Sequence, residues 1–437
     1  MTRRGVTTMV AALGVVAAIA RPALATPGDL DATFGTGGLV RTDITAVGDA
    51  AYGVAVQPDG RIVAVGTAGG PNSKFAVVRY RKDGSLDTTF GTGGVVQTDF
   101  GPYRDEAYGV AIQADGDIVV AGVQGAGRPG SNFALARYLP GGTLDPSFGT
   151  GGTVVTSVTT KQDEADGVGI LSNGDIVAAG GAGLNAADPN FAIVRYDPTG
   201  HLDPTFGTGG IVQTDFSGAS FDWAVGGLVV QPDDEVVAGG YTISVSSRGN
   251  PKFALARYLT DGSLDPSFGG GDGKVITDFT SGLDYVSGLA LDASGDVVAA
   301  GEAGTRSGHD TAALARYTPA GVLDTTFGGD GKVTTDYGPF GDAAIGVAVD
   351  SSTQDLVTAG AIGLGGSNPR FAICRYTPAG LLDTTFGTGG KVFTDFGPHQ
   401  DYANAVALQS NGRIVAAGVA GRGGGNGKFA LARYLDQ

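Results

Sequence analysis

The chain predicts an all-β fold, a seven-bladed β-propeller of four-stranded antiparallel blades. Three observations predict it: a sevenfold repeat, four strand patterns inside each repeat, and chain ends that carry complementary parts of one unit. The string Leu-Asp-x-Thr/Ser-Phe-Gly places its phenylalanine at Phe34, Phe90, Phe148, Phe206, Phe268, Phe327 and Phe386, in steps of 56, 58, 58, 62, 59 and 59 residues. Units of this size cannot each bury a core and must stack on their neighbours.

The second repeat serves as the template. Tyr108 opens the small-residue strand Tyr-Gly-Val-Ala-Ile-Gln, which closes at the turn Ala114-Asp115-Gly116. Asp117 to Gly122 returns as a second strand, since Asp-Gly between short apolar runs signals a hairpin. Phe133 to Tyr138 is the third strand and Gly152 to Thr156 the fourth. Each run is too short for a helix, and no 3.6-residue periodicity survives the glycines. The chain starts on a fourth-strand motif, Gly38 to Asp43, and stops on a third-strand motif, Phe429 to Tyr434. The N-terminal strand is therefore expected to complete the last blade from outside and close the ring. An open solenoid would need polar terminal caps, whereas the first and last repeats read like interior ones.

At 42% hydrophobic residues the 437-residue chain is too apolar for disorder, and its 78 glycines follow no Gly-X-Y period. A net charge of −16 argues against nucleic-acid binding, which needs clustered Lys and Arg. Arg3 and Arg4, the apolar stretch Gly5 to Ala20 and Ala23-Leu24-Ala25 read as a cleaved signal peptide over residues 1–25. Residues 26–437 then form one propeller domain, expected to be a monomer that is secreted, periplasmic or on the cell surface, with no transmembrane segment. The single cysteine, Cys374, takes a slot that other repeats fill with Val or Ala and reads as an inert buried thiol.

Leu-Asp-x-Thr-Phe-Gly-x-Gly-Gly, Thr-Asp-Phe, Gly-Val-Ala-x-Gln-x-Asp-Gly and Phe-Ala-x-x-Arg-Tyr together resemble the bacterial delta-60 repeat of exported proteins. The resemblance covers essentially all of the chain after residue 26 and implies a β-propeller of unassigned activity, with no catalytic motif to transfer. Departures are local: Ser157 replaces the Thr-Asp aspartate, Ala312 replaces a phenylalanine, and Pro232-Asp233-Asp234-Glu235 is a hairpin without its glycine.

Each third strand ends on an arginine: Arg79, Arg137, Arg195, Arg257, Arg316, Arg375 and Arg433. The expected partner is the Thr-Asp aspartate of the neighbouring fourth strand (Asp99, Asp215, Asp278, Asp336, Asp395), with Arg433 meeting Asp43 across the closure. A second ring of aspartates, Asp49, Asp105, Asp163, Asp222, Asp284, Asp342 and Asp401, stands before the small-residue strands. Turn-forming aspartates that accept local N–H groups are the expectation; a cation such as calcium at the channel mouth is the alternative. No cofactor is otherwise expected.

Specificity is expected where the repeats disagree, on one face of the ring. Candidate ligand-binding residues are Trp223, Tyr285, Tyr402, Glu106, Tyr108, Arg128, Arg248 and Arg306. Catalytic residues are not assigned, because His201, His309 and His399 lack metal-ligand spacing to one another and no nucleophile elbow or phosphate loop occurs. The leading expectation is a non-enzymatic scaffold that binds a protein or glycan. The rivals are a cation-dependent lyase or hydrolase at the channel mouth and a structural or adhesive surface protein.

Overall fold

The computed structural model describes residues 25–184, 188–216, 218, 220–244, 249–304, 309–366, 368–422 and 426–436. The signal-peptide reading falls almost wholly outside them. Among the described residues no helix is long and apolar enough to cross a membrane.

Seven antiparallel sheets form the ring. Blade one shows the plan. β1 (Leu39–Thr42) precedes it; β2 (Asp49–Val56), β3 (Ile62–Ala68), β4 (Lys74–Tyr80) and β5 (Val95–Thr98) then pair in sequence order. Consecutive first strands meet edge to edge around the axis, where an added Cβ on Gly53 would lie 2.5 Å from Tyr108 O. This crowding explains the small residues of the Gly-Val-Ala motif, since the innermost strand sits where the wedge-shaped blades converge.

The last blade is completed as expected. β1 pairs antiparallel with Lys428–Tyr434, setting Leu39 opposite Ala432 and Thr42 opposite Phe429. The innermost strand of blade four departs from the pattern, split into Ser220–Trp223 and Leu228–Val230.

The core lies between blades. Val63, Val65, Phe75 and Val77 of blade one, for example, pack on Ile118, Val120, Ala134 and Tyr138 of blade two. The buried tyrosine that ends each third strand reaches back to the threonine that ends the preceding fourth strand. Tyr80–Thr42 (2.8 Å) and Tyr434–Thr394 (2.7 Å) are the two such hydroxyl pairs nearest the seam.

The arginines require a correction. Arg79 Nε donates to Asp87 Oδ2 at 2.9 Å, not to Asp99, and the pattern recurs at Arg137–Asp145, Arg195–Asp203, Arg257–Asp265, Arg316–Asp324, Arg375–Asp383 and Arg433–Asp31. The partner is the aspartate of Leu-Asp-x-Thr/Ser-Phe-Gly. The register gives the reason. Phe75 lies opposite Thr98 and Val78 opposite Val95, so an antiparallel pair puts the end of β5 beside the start of β4, far from Arg79. Asp99 accordingly meets Lys74 at 2.9 Å, and Asp43 meets Lys428 at 2.7 Å instead of Arg433. Each arginine also lies over the phenylalanine of its motif, as Arg79 does over Phe90 at 4.5 Å, and its Nη1 donates to a carbonyl of the next blade, as from Arg79 to Pro140 O at 2.5 Å.

Candidate functional site

Six innermost strands carry a β-bulge, where the register skips Tyr52, Tyr108, Asp166, Ser287, Ile345 or Asn404. A glycine makes room for it. A Cβ on Gly122 would sit 1.9 Å from Glu106 O, and Gly66, Gly180, Gly240, Gly301, Gly360 and Gly418 are equally crowded by the strand opposite. Bulges re-aim side chains, and here they reach from blade to blade. The rings of Tyr52 and Tyr108 lie 5.3 Å apart, Asn404 Nδ2 donates to Ala51 O at 2.7 Å, and Trp223 Nε1 donates to Asp166 Oδ2 at 2.7 Å.

Where these residues differ most from one repeat to the next, acids collect. The Tyr108 hydroxyl donates to Glu106 Oε2, and Arg104 pairs with Glu106 Oε1. Glu106 and Glu164 are buried at the starts of two adjacent innermost strands. Burial, reinforced by the charge of Glu106, pushes Glu164 up to about 7 although the Tyr108 hydroxyl favours its ionised form. Asp166 is raised well above the carboxylate range by burial and then by Glu164, against the opposing hydrogen bond from Trp223. Burial and mutual repulsion thus favour the protonated forms of Glu164 and Asp166.

Aromatic rings continue the surface. Trp223 lies 6.3 Å from Tyr241, which packs edge-on against Tyr285 of the next blade at 4.8 Å. Tyr285 faces Glu302 across the strand pair, and burial, with the charge of Asp310, pushes Glu302 up to about 7. On the other side of Tyr52 a cavity of about 560 Å³ opens between blades seven and one, lined by Tyr52, Arg104, Arg422, Pro71 and Asn426. Arg422 lies 5.4 Å from the ring of Tyr402, whose hydroxyl donates to Gln400 Oε1 at 3.0 Å.

Of the residues expected from the sequence, Glu106, Tyr108, Trp223 and Tyr285 belong to this surface, and Tyr402 adjoins its cavity through Arg422. Arg128 stands apart, stacked on Tyr103 at 4.2 Å. Arg248 and Arg306 lie outside the described residues. Tyr52, Arg104, Glu164, Asp166, Tyr241 and Glu302 are not among the residues expected from the sequence. The bulged residue three positions after each ring aspartate was the available signal: Tyr52, Tyr108 and Asp166 are unlike one another, while the flanking Ala and Gly barely change.

The ring aspartates Asp49, Asp105, Asp163, Asp222, Asp284, Asp342 and Asp401 are buried, one per blade, and among the described residues they form no metal-holding group with one another. Each accepts backbone N–H groups of the loop before it, such as Ile44 and Thr45 to Asp49 (2.8 and 3.0 Å) or Phe396 to Asp401 (2.7 Å), and some also accept from the paired strand, as Asp401 does from Gly421 (3.0 Å). Burial raises Asp105 to about 6 despite the N–H groups of Phe100 and Gly125. Cys374 is fully buried, and burial pushes its thiol up to about 12, so it carries no thiolate at neutral pH.

Comparison with known proteins follows the repeat. Segments 57–90, 113–148, 171–206, 231–268, 293–327, 356–386 and 409–435 match the family described as domain of unknown function (DUF5122) beta-propeller, together more than half of the chain. The chain belongs to this DUF5122 β-propeller family. No curated protein matches it in sequence. Among solved structures, this DUF5122 propeller is similar to a virginiamycin B lyase from Staphylococcus aureus, with 11% identity, TM-score 0.51, and 90% of this chain and 98% of that one covered. It is also similar to a PL25 ulvan lyase bound to a GlcA- and Rha3S-containing saccharide, with 12% identity, TM-score 0.51, and 91% and 96% covered. At such identities the likeness concerns the fold alone.

Proposed function

We propose that this propeller is an exported glycan-binding protein whose site is the end of the ring where the innermost strands begin. One observation carries the reading: the half-buried rings of Tyr52, Tyr108 and Trp223 flank the buried acids Glu106 and Glu164 and the half-buried Asp166, beside the cavity lined by Tyr52 and Arg104. A pyranose presents apolar C–H faces that stack on such rings, and hydroxyls that donate to carboxylates. A patch of this kind beside a cavity of about 560 Å³ suits a small polyhydroxylated ligand better than a folded partner, which buries roughly 800 Å² per side.

Trp223 is the only tryptophan in the chain, so its emission reports the site directly. Titration with a panel of neutral and acidic oligosaccharides is expected to give saturable quenching by at least one of them, lost in Tyr108→Ala and Asp166→Ala. A panel that leaves the emission of the folded protein unchanged would sink the proposal.

A second reading, catalysis, is favoured by the proton retained on Glu164 beside ionisable neighbours, an arrangement suited to acid–base chemistry. Product formation from a bound oligosaccharide, abolished in Glu164→Gln while binding persists, would convert the binding protein into an enzyme.

A further inference from the structure

We propose a divalent transition-metal site, of the zinc class, at the junction of blades five and six, formed by His309, Asp336 and Asp342. It is independent of the glycan surface. One ligand atom of each residue lies within 4.8 Å of the others, and His309 Nε2 stands 3.6 Å from Asp336 Oδ1. That separation suits two adjacent ligands of one ion with bond lengths of about 2.0–2.2 Å.

The other blades show what this junction lacks. The Thr-Asp aspartate and the following ring aspartate recur as a pair, and a lysine at the start of the third strand neutralises it in three blades: Lys74 at Asp99 (2.9 Å), Lys252 at Asp278 (2.5 Å) and Lys428 at Asp43 (2.7 Å). In blade five the lysine position holds Thr311, and His309, two residues before it, stands where those blades have Asn72, Asn250 and Asn426. The pair Asp336/Asp342 thus lacks the fixed ammonium and has an imidazole beside it instead. Lys391 approaches Asp336 only at its backbone oxygen, at 3.4 Å.

Asp342 is already oriented. It is fully buried and accepts from Tyr337 N at 2.6 Å and Gly363 N at 3.3 Å. Such hydrogen bonds to a ligating carboxylate fix its direction before the ion arrives. The donor set, one imidazole nitrogen with two carboxylates, favours zinc, cobalt or manganese over calcium, which prefers an all-oxygen shell. The ion would tie the start of a third strand to the next blade through Asp342, whereas lysine elsewhere reaches the fourth-strand aspartate of its own blade. His309 and Asp336 are part-exposed, at 38% and 61% of their side chains, leaving that side open to solvent.

The test uses the chelator-treated protein and the metals alone. Zinc and cobalt are expected to raise the melting temperature by several degrees and saturate at one ion per chain, with calcium at the same concentration giving little shift. Cobalt should add a visible d–d absorption. His309→Ala and, separately, Thr311→Lys, which restores the lysine of the other blades, should keep the metal-free melting temperature within a few degrees and lose both responses. Wild-type protein indifferent to zinc and cobalt, or variants that respond as it does, would overturn the site and leave His309 as an ion-pair partner of Asp336.

Discussion

Arg433, in the last strand, donates through Nε to Oδ2 of Asp31, before the first strand, at 3.0 Å, and both side chains are buried. The two ends of the chain are thus locked by the same ion pair that occurs within each interior repeat. Thr33 and Arg413 add to the grip on Asp31: burial opposes ionisation, yet these hydrogen bonds and the charge of Arg433 lower its pKa to about 2.

Removing Asp31 leaves a buried guanidinium without its carboxylate, a loss of about 3–5 kcal/mol. Asp31→Ala is expected to lower stability by that order in chemical denaturation. Asp43→Ala, which removes only the part-exposed pair with Lys428, should cost about 1 kcal/mol or less. Because the folded pKa of Asp31 is depressed, its contribution is present above pH 4 and fades as pH falls toward 2. Equal losses in the two variants would disprove the closure argument.

The bulge that carries Tyr108 depends on Gly122. Gly122→Ala forces a Cβ to within 1.9 Å of Glu106 O, where the backbone must shift. A destabilisation of about 3 kcal/mol is expected from overpacking of this kind, together with altered Trp223 emission. A variant with wild-type stability would show that the bulge tolerates a side chain.

Burial pushes Glu164 up to about 7 from the ordinary 4.5, so between those values the folded state retains a proton that the unfolded state has lost. Stability therefore falls as pH rises from about 4.5 to 7, by an amount on the order of 3 kcal/mol for this group. Glu164→Gln should abolish that part of the pH dependence and be more stable than wild type at pH 8, with little difference at pH 4. Parallel stability–pH curves for the two proteins would argue against it.

The bond from Trp223 Nε1 to Asp166 spans two blades. Asp166→Ala should shift the emission maximum of the folded protein, whereas Asp115→Ala, on an exposed hairpin at the other end of the ring, should leave it unchanged. No shift in the first variant would mean that the bond is not formed in solution.

The repeat, the four strands per blade, the closing strand and the burial of Cys374 were all legible in the sequence, because each is written locally: in alternation, in turn glycines, and in a period that sets one unit on the next. Glu106, Tyr108, Trp223 and Tyr285 were legible as departures from the repeat. Other features needed the three-dimensional register. The arginines pair with the motif aspartates because antiparallel strands separate the ends that sequence spacing had joined. Asp166 reaches Trp223 only because a bulge turns it toward the next blade, and His309 meets Asp336 and Asp342 only because a loop of one blade borders the inner strand of the next. Short-range pattern decides which strands form and how many. Contacts between blades, invisible to any one repeat, decide which side chains share a site.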